Sequence, residues 1–351
     1  MDNRQIEVGG IKCHTFDEII SLENLFCAWD EFKRGKIKKI DVLDFNLFLE
    51  NNIFCLHKEL KLKTYRHSDY TSFYIKDPKL RHIHKACVKD RVLHHAVFKI
   101  LYPIFDNSFI FDSYSSRINK GTHRAVVRLN RFAKKASKNN ARNCYFLKCD
   151  ILKFFDSIDH KILISLIKKK IKDKDAVWLI EGIIKSYSTS LLKGIPLGNI
   201  TSQLFANIYL NELDRFIKDN LRIRYYVRYC DDFLIVSNNF RYLTGIIPKI
   251  KTFLKGNLKL SLHPGKIVIK RYHQGVDFLG YVSFPHHIIL RTKTKKRMLK
   301  RIEKRIKDLK NNKISKQSFG QTIQSYFGIL KHCKSYKLKK EIIEEYGSIS
   351  I

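Results

Sequence analysis

The stretch that most constrains this chain is Tyr225-Tyr226-Val227-Arg228-Tyr229-Cys230-Asp231-Asp232-Phe233-Leu234-Ile235-Val236. Aromatic and β-branched residues on both sides of an Asp-Asp pair predict two strands joined by a tight turn. Adjacent carboxylates at such a tip repel each other, and a divalent cation in front of them would relieve the repulsion. A lone Asp-Asp is more often a solvated acidic turn. Three features weigh against that here: the flanks are apolar, the rest of the chain is strongly basic, and another carboxylate lies upstream in a similar setting. That carboxylate is Asp150, in Phe146-Leu147-Lys148-Cys149-Asp150-Ile151-Leu152-Lys153-Phe154-Phe155. An apolar strand ends there, and the chain turns towards a helix expected near Ser157. Asp150, Asp231 and Asp232 would give a two-metal centre its oxygen ligands; such a centre activates a 3′-hydroxyl and stabilises a leaving pyrophosphate.

A length of 351 residues allows one large domain or two to three small ones. The 68 Lys and Arg against 33 Asp and Glu leave a net charge of +35, beyond what solubility requires. Charge of that sign and size points to a polyanion, either nucleic acid or an anionic membrane, although an AT-rich genome would account for part of the lysine. No run of about 18 apolar residues appears, so no membrane span is expected. The first residues carry no signal-peptide pattern. Eight cysteines without a Cys-x-x-Cys pair read as reduced thiols in a cytoplasmic protein.

Residues 1–60 are expected to be helical, with Phe16, Ile19, Ile20, Leu22, Leu25 and Phe26, then Val42, Phe45, Leu47 and Phe48, at near-helical spacing. The basic Phe32–Lys39 segment between them reads as a solvated loop, with contact to template phosphate as the alternative. Tyr70–Ile75 and Leu80–Ile83 predict two strands around an Asp77-Pro78-Lys79 turn. Asp90 is a fair N-cap for the next helix, and His94-His95, pointing in different directions, read as structural. Residues 129–143, with Arg131, Lys134, Lys135, Lys138 and Arg142, suggest a basic exposed helix. A helical segment is expected over roughly 159–186. Thr201 or Ser202 can cap a helix whose buried stripe is Phe205, Ile208, Tyr209, Leu213 and Phe216. Met298, Ile302, Ile306 and Leu309 mark an amphipathic helix with a cationic outer face. Phe319, Ile323, Tyr326, Phe327 and Leu330 mark another.

Tyr229-Cys230-Asp231-Asp232 resembles the Tyr-x-Asp-Asp box of reverse transcriptases, and Asp150 with Phe154-Phe155 resembles their first catalytic box. Further boxes follow the family's order between about residues 15 and 345: the Lys79/Arg81 hairpin, Asp112–His123, Gly194–Gln203, Leu260–Lys266, Val276–Tyr281 and Ser325–His332. The resemblance implies an α+β right-hand polymerase. Its parts would be a helical N-terminal extension (1–60), fingers (61–145), a palm with an antiparallel sheet (146–285, with a helical insertion at 159–193) and a helical thumb (286–351).

It also implies an RNA-directed DNA polymerase. Asp150, Asp231 and Asp232 would be catalytic. Asp150, Ile151, Asp231 and Asp232 would ligate two Mg²⁺ ions, with Mn²⁺ as an alternative. Lys79, Arg81, Arg117, Phe155, Leu197, Gly198, Gln203 and Lys266 would contact nucleotide, Phe155 excluding a 2′-hydroxyl. Phe278, Leu279 and Gly280 would form the primer grip. Many members have Gln where this chain has Leu197. An aliphatic residue there, followed by Gly-Asn-x-Thr-Ser-Gln, is most similar to the diversity-generating retroelement branch among group II intron-like enzymes, and recurs in phage-defence relatives. The implied partners are an RNA template, a DNA or RNA primer and dNTPs, with a small basic accessory protein as a further candidate and no membrane. The chain would be bacterial or phage-encoded. The expected function is error-prone retroelement copying. The alternatives are an antiphage enzyme making untemplated or repetitive DNA, and a non-catalytic polymerase-fold module that binds nucleic acid. Retention of all three carboxylates argues against the last.

Overall fold

The computed structural model describes residues 15–76 and 79–346. Four helices open the chain: α1 (Thr15–Ile20), α2 (Leu22–Lys33), α3 (Ile40–Leu47) and α4 (Leu49–Lys61). The β1 (Thr71–Ile75) and β2 (Arg81–Lys85) hairpin follows, then α5 (Val88–Asp106), α6 (Thr122–Ala136) and β3 (Tyr145–Asp150). Next come α7 (Phe154–Ser157), α8 (His160–Lys168), α9 (Lys174–Lys185) and α10 (Ile200–Arg215). Strands β4 (Tyr226–Tyr229) and β5 (Asp232–Ser237) precede α11 (Phe240–Leu258) and β6 (Val268–Arg271). The chain closes with β7 (Val276–Phe278), β8 (Tyr281–Ser283), β9 (Ile288–Leu290), α12 (Thr292–Lys310), α13 (Lys316–Leu330) and α14 (Tyr336–Tyr346). Among the described residues no helix is long and apolar enough to cross a membrane, and no disulfide joins the seven described cysteines. Asp77, Pro78, Cys13 and the first 14 residues of the expected helical extension lie outside the described residues.

These elements form two compact units, each discontinuous in sequence. The first takes residues up to Arg117, Asp150–Arg222 and Pro248–His263. Its core is helical. Leu25, Trp29 and Phe32 of α2 are buried, as are Val92, Leu93, Ala96 and Val97 of α5. Asn24 ties the two helices by donating to the Ala96 carbonyl at 3.2 Å. Helix α10 is buried almost all round, which marks a central core helix and not a surface one. Its Tyr209 hydroxyl donates to the Leu258 carbonyl (2.7 Å) and accepts from the Asp159 N–H (3.3 Å).

The second unit takes Ile118–Cys149, Ile223–Ile247 and the chain from Pro264 onward. Its larger sheet has the order β4-β5-β3-β6, with β4–β5 and β3–β6 antiparallel. Helix α6 packs on β4 and β5 through Ala125, Val126, Leu129, Phe132 and Ala133, leaving Arg131, Lys134 and Lys135 exposed. Strands β7, β8 and β9 make a separate antiparallel meander. Asn130 of α6 reaches Ser283 of β8 at 3.1 Å. Met298, Ile302 and Ile306 of α12 and Phe319, Ile323 and Leu330 of α13 are buried, and these two helices pack together.

Several helix boundaries differ from those the sequence suggests. Cys87, not Asp90, caps α5. Asp90 sits wholly buried in the first turn, accepting from the Tyr65 hydroxyl (2.7 Å), the Ser68 N–H (2.9 Å) and the Cys87 thiol (3.1 Å). Asn199 holds the cap position of α10 without a side-chain bond, and Thr201 and Ser202 are buried inside its first turn. The helical segment after residue 159 breaks between Lys168 and Lys174, where Asp173 caps α9 by accepting from two N–H groups. Helix α6 ends at Ala136, and left-handed Lys138, Asn139 and Asn140 turn the chain. Helix α3 stops at Leu47, so the expected apolar stripe does not continue: Val42 is buried, Phe45 meets Trp29, and Leu47 and Phe48 are exposed.

The buried cluster around Asp90 makes this unit sensitive to acid. His94 of α5 lies with its Nε2 3.2 Å from His67 Nε2 and its Nδ1 3.4 Å from the Thr201 hydroxyl. Burial, with the His67 charge adding to it and Asp90 opposing, pushes His94 down to about 3. A histidine held below its ordinary value is protonated first in the unfolded chain. Its contribution is therefore intact above about pH 6.5 and is lost as the pH falls towards about 3. We expect the unfolding free energy from urea titration to drop from pH 7.5 to pH 5, by about 1.4 kcal/mol per pH unit below 6.5 at most. The drop should be smaller in His94→Gln, which cannot take the proton. An equal drop in both proteins would assign the acid sensitivity to other groups.

Candidate active site

The Asp-Asp pair is held by a hairpin with a two-residue loop. Tyr229 and Asp232 are the last paired residues of β4 and β5, and Cys230 and Asp231 bridge them. Such short loops match strand twist only if the first position takes positive φ, and Cys230 does so at +54° without being glycine. Arg228, wholly buried in β4, donates to the Cys230 carbonyl at 3.1 Å and fastens the loop from beneath. Asp231 and Asp232 are half-buried. Lys148 of β3 brings its ammonium to 3.3 Å from Asp232 Oδ2.

Asp150 is the last residue of β3, the strand next to β5 in the sheet order. Its carbonyl accepts from the His263 N–H at 2.8 Å, Leu152 donates to the Ser261 carbonyl at 2.9 Å, and buried Ile151 bridges to Leu262. The chain then reverses through left-handed Lys153 into α7. Phe154 is buried, while Phe155 is half-buried with its carbonyl accepting from Ile195 N–H at 2.9 Å. Phe155 is thereby set against the Gly194-Ile195 segment. Among the described residues no group of three or more His, Cys, Asp or Glu side chains is gathered for a metal ion. The adjacent carboxylates of the hairpin are nevertheless the hard oxygen donors that Mg²⁺ takes.

Within the first unit a cleft of about 720 Å³ opens between β2 and the turn before α10. Arg81 and Leu197 both line it, together with His84, Lys153, Tyr187 and Lys193. The His84 N–H donates to the Leu197 carbonyl at 3.2 Å, and the Tyr187 hydroxyl meets His84 Nε2 at 3.0 Å. Lys79 stands exposed beside the hairpin turn, and Gln203 is exposed on the first turn of α10. Sequence reasoning passed over Lys153, His84, Tyr187 and Lys193. Lys153 and Lys193 lie beside boxes already singled out, whereas Tyr187 carries no local signal.

One expected contact looks different in the structure. Arg117 spends its guanidinium on its own loop: Nε bonds Asp106 Oδ1 (2.6 Å), Nη1 the Ile110 and Ser113 carbonyls (2.7 and 3.1 Å), and Nη2 the Asp106 carbonyl (3.4 Å). With 6 % of its side chain exposed, it clamps a loop and offers no fork to a phosphate. Phe278 is wholly buried, and Leu279 and Gly280 form the loop joining β7 to β8 with φ of +52° and +87°. A side chain added at Gly280 would meet no protein atom closer than 3.5 Å, and the positive φ itself favours glycine there. Lys266 ends a short 3₁₀ turn, Pro264–Lys266, ahead of β6.

The hairpin carries adjacent carboxylates, and the strand beside it ends on a third. The chain belongs to the reverse transcriptase (RNA-dependent DNA polymerase) family, whose model matches residues 75–283. It is 27% identical over 305 residues to the group II intron-encoded protein LtrA of Lactococcus lactis subsp. cremoris, covering 67% of this chain and 50% of that protein. It is 26% identical over 258 residues to the putative COX1/OXI3 intron 2 protein of Saccharomyces cerevisiae, covering 55% of this chain and 29% of that one. Protein YkfC of Escherichia coli is 24% identical over 241 residues, with 58% and 63% covered. The chain thus spans between 29% and 63% of the length of these relatives.

Gly198 fixes how closely the turn meets the hairpin. Its φ is +119°, and an added Cβ would lie 3.1 Å from Ile83 Cγ2. Gly198→Ala should cost about 1–2 kcal/mol and loosen the bond from His84 to Leu197. Hydrogen exchange at the His84 amide should accelerate selectively. Unchanged exchange there would show that the bond does not depend on Gly198.

Proposed function

We propose that the chain is an RNA-directed DNA polymerase that copies retroelement RNA. The observation that carries this reading is the Asp231–Asp232 pair at a fixed hairpin tip, in a sheet whose next strand ends on Asp150. Asp150, Ile151, Asp231 and Asp232 would hold two Mg²⁺ ions, which when bound supply an activated 3′-oxygen and charge for the leaving pyrophosphate. The remaining roles fall to binding and orientation. Lys79 and Arg81 offer a point charge and a bidentate fork to the triphosphate. That Arg81 shares a cleft with Leu197 supports placing the incoming nucleotide there. Phe155 blocks the space a 2′-hydroxyl needs, Gly198 and Gln203 border the nascent pair, and Lys266 gives a proton to pyrophosphate. The turn at Phe278–Gly280 steadies the primer end.

Helix α12 turns Met298, Ile302 and Ile306 inward and exposes Lys296, Lys300, Lys304 and Lys307, a surface suited to duplex phosphates. The intron-encoded relatives favour a retroelement role with RNA as template.

Asp231→Asn should reduce Mg²⁺-dependent dNTP incorporation on an RNA template by about a hundredfold or more. Nucleic-acid binding in EDTA should stay near wild type, because affinity resides in many phosphate contacts. Undiminished incorporation by the folded variant would remove this turn from catalysis.

Leu197 offers only loose apolar contact to the nascent pair, so the enzyme should be error-prone. Leu197→Gln adds an amide that can hydrogen-bond there. About 1.4 kcal/mol of added discrimination would cut misincorporation roughly tenfold. Sequencing of cDNA made by both proteins on one RNA template checks this, with the largest gain expected opposite adenine. Equal error spectra would show that residue 197 does not set fidelity.

A further inference from the structure

We propose that Lys148 is a positioning residue that ties Asp232 to the β7–β8 hairpin and the start of α12, registering the primer end against the catalytic carboxylates. The inference rests on the function proposed above and goes beyond it in assigning Lys148, Asp277 and Arg291 a joint task.

Lys148 is out of place by composition. It lies in β3 among Phe146, Leu147 and Cys149, all buried, where an aliphatic side chain would pack at no electrostatic cost. Its side chain is 30 % exposed, and its ammonium is shared. One contact runs to Asp232 Oδ2 at 3.3 Å, and a hydrogen bond is donated to the Asp277 carbonyl at 2.9 Å. Backbone pairing with Val268 of β6 fixes where the lysine starts. The ammonium therefore joins the strand of the catalytic turn to β7, which pairs with β8 in a different sheet.

From Asp277 the connection continues. Its Oδ2 lies 2.9 Å from Arg291 Nε. Arg291 caps α12, and its N–H donates to the Gly280 carbonyl at 3.0 Å. Asp232, Lys148, Asp277 and Arg291 thus form one polar chain from the carboxylate to the loop of the hairpin and the first turn of a cationic helix. A displacement of the hairpin would stretch the Lys148 bonds, and the error would appear at Asp232. Misplacement of a reacting group by about 1 Å can cost a hundredfold in rate, so such a registration matters to catalysis more than to affinity.

The same ammonium stands beside a carboxylate proposed as a metal ligand, so it opposes a cation there. Removing Lys148 should then have two effects of opposite sign. In Lys148→Met, direct Mn²⁺ binding, followed by loss of the free-ion paramagnetic resonance signal, should tighten by at least about threefold. In the same protein kcat for dNTP addition should fall by about tenfold to a hundredfold, while primer–template Kd in EDTA stays within about twofold. Lys148→Arg, which keeps the charge, should recover much of kcat.

Arg291→Gln, at a half-exposed position, should lower kcat without tightening Mn²⁺. Weakened Mn²⁺ binding and weakened primer binding together in Lys148→Met would mean a merely structural lysine and overturn the proposal. An unchanged kcat in Arg291→Gln would overturn the extended connection. Asp232→Asn separates the two levels of inference. If it binds Mn²⁺ as well as wild type, the metal-ligand reading itself fails, whatever Lys148 does.

Discussion

Two like charges on adjacent residues of one tight turn are the constraint around which the second unit is built. Asp231 and Asp232 cannot turn away from each other far enough to remove their repulsion, and both are half-buried, where water screens less. The fold meets this with positive charge from two sides. Arg228 lies beneath the loop and bonds its backbone, and Lys148 approaches Asp232 from the neighbouring strand. A buried arginine and a half-buried lysine are poor choices for packing. Their presence in an apolar sheet makes sense once the carboxylates are taken as fixed.

Much of this was legible because the signals are local. A β-rich run on each side of Asp-Asp gives the β4–β5 hairpin, an apolar run ending on an acid gives β3, and spacing gives the inward face of α12. The misreadings share a cause. Asp90, Thr201 and Ser202 carry side chains that favour caps, yet tertiary demand claimed them: Asp90 gathers Tyr65, Ser68 and Cys87 from other segments, and the first turn of α10 is buried. Arg117 looks like a phosphate ligand in a Gly/Ser-rich string, and only the folded loop shows its carbonyls converging on the guanidinium. Lys148 and Tyr187 were invisible for the opposite reason, since their partners lie far along the chain. No pattern within a few residues can announce a bond from Lys148 to Asp277.

The charge excess is distributed with similar economy. Helices α6 and α12 each put apolar residues on one face and lysines or arginines on the other. The net +35 is therefore displayed on regular surfaces and not confined to tails. In the first unit, by contrast, buried polar side chains tie separate segments together. Tyr209, with donor and acceptor both used, and Asn24, whose amide nitrogen donates from one helix to another, show that pattern.

The polypeptide passes between the two units five times, after Arg117, Cys149, Arg222, Ile247 and His263. Two of these passages fall inside regular elements, β3 and α11. No single division of the coding sequence can therefore yield one intact unit and one intact remainder. A cut anywhere between Arg117 and His263 leaves parts of at least one unit on both fragments. Modular recombination, which builds many nucleic-acid enzymes by joining self-sufficient cassettes, has no seam along which to part these two units.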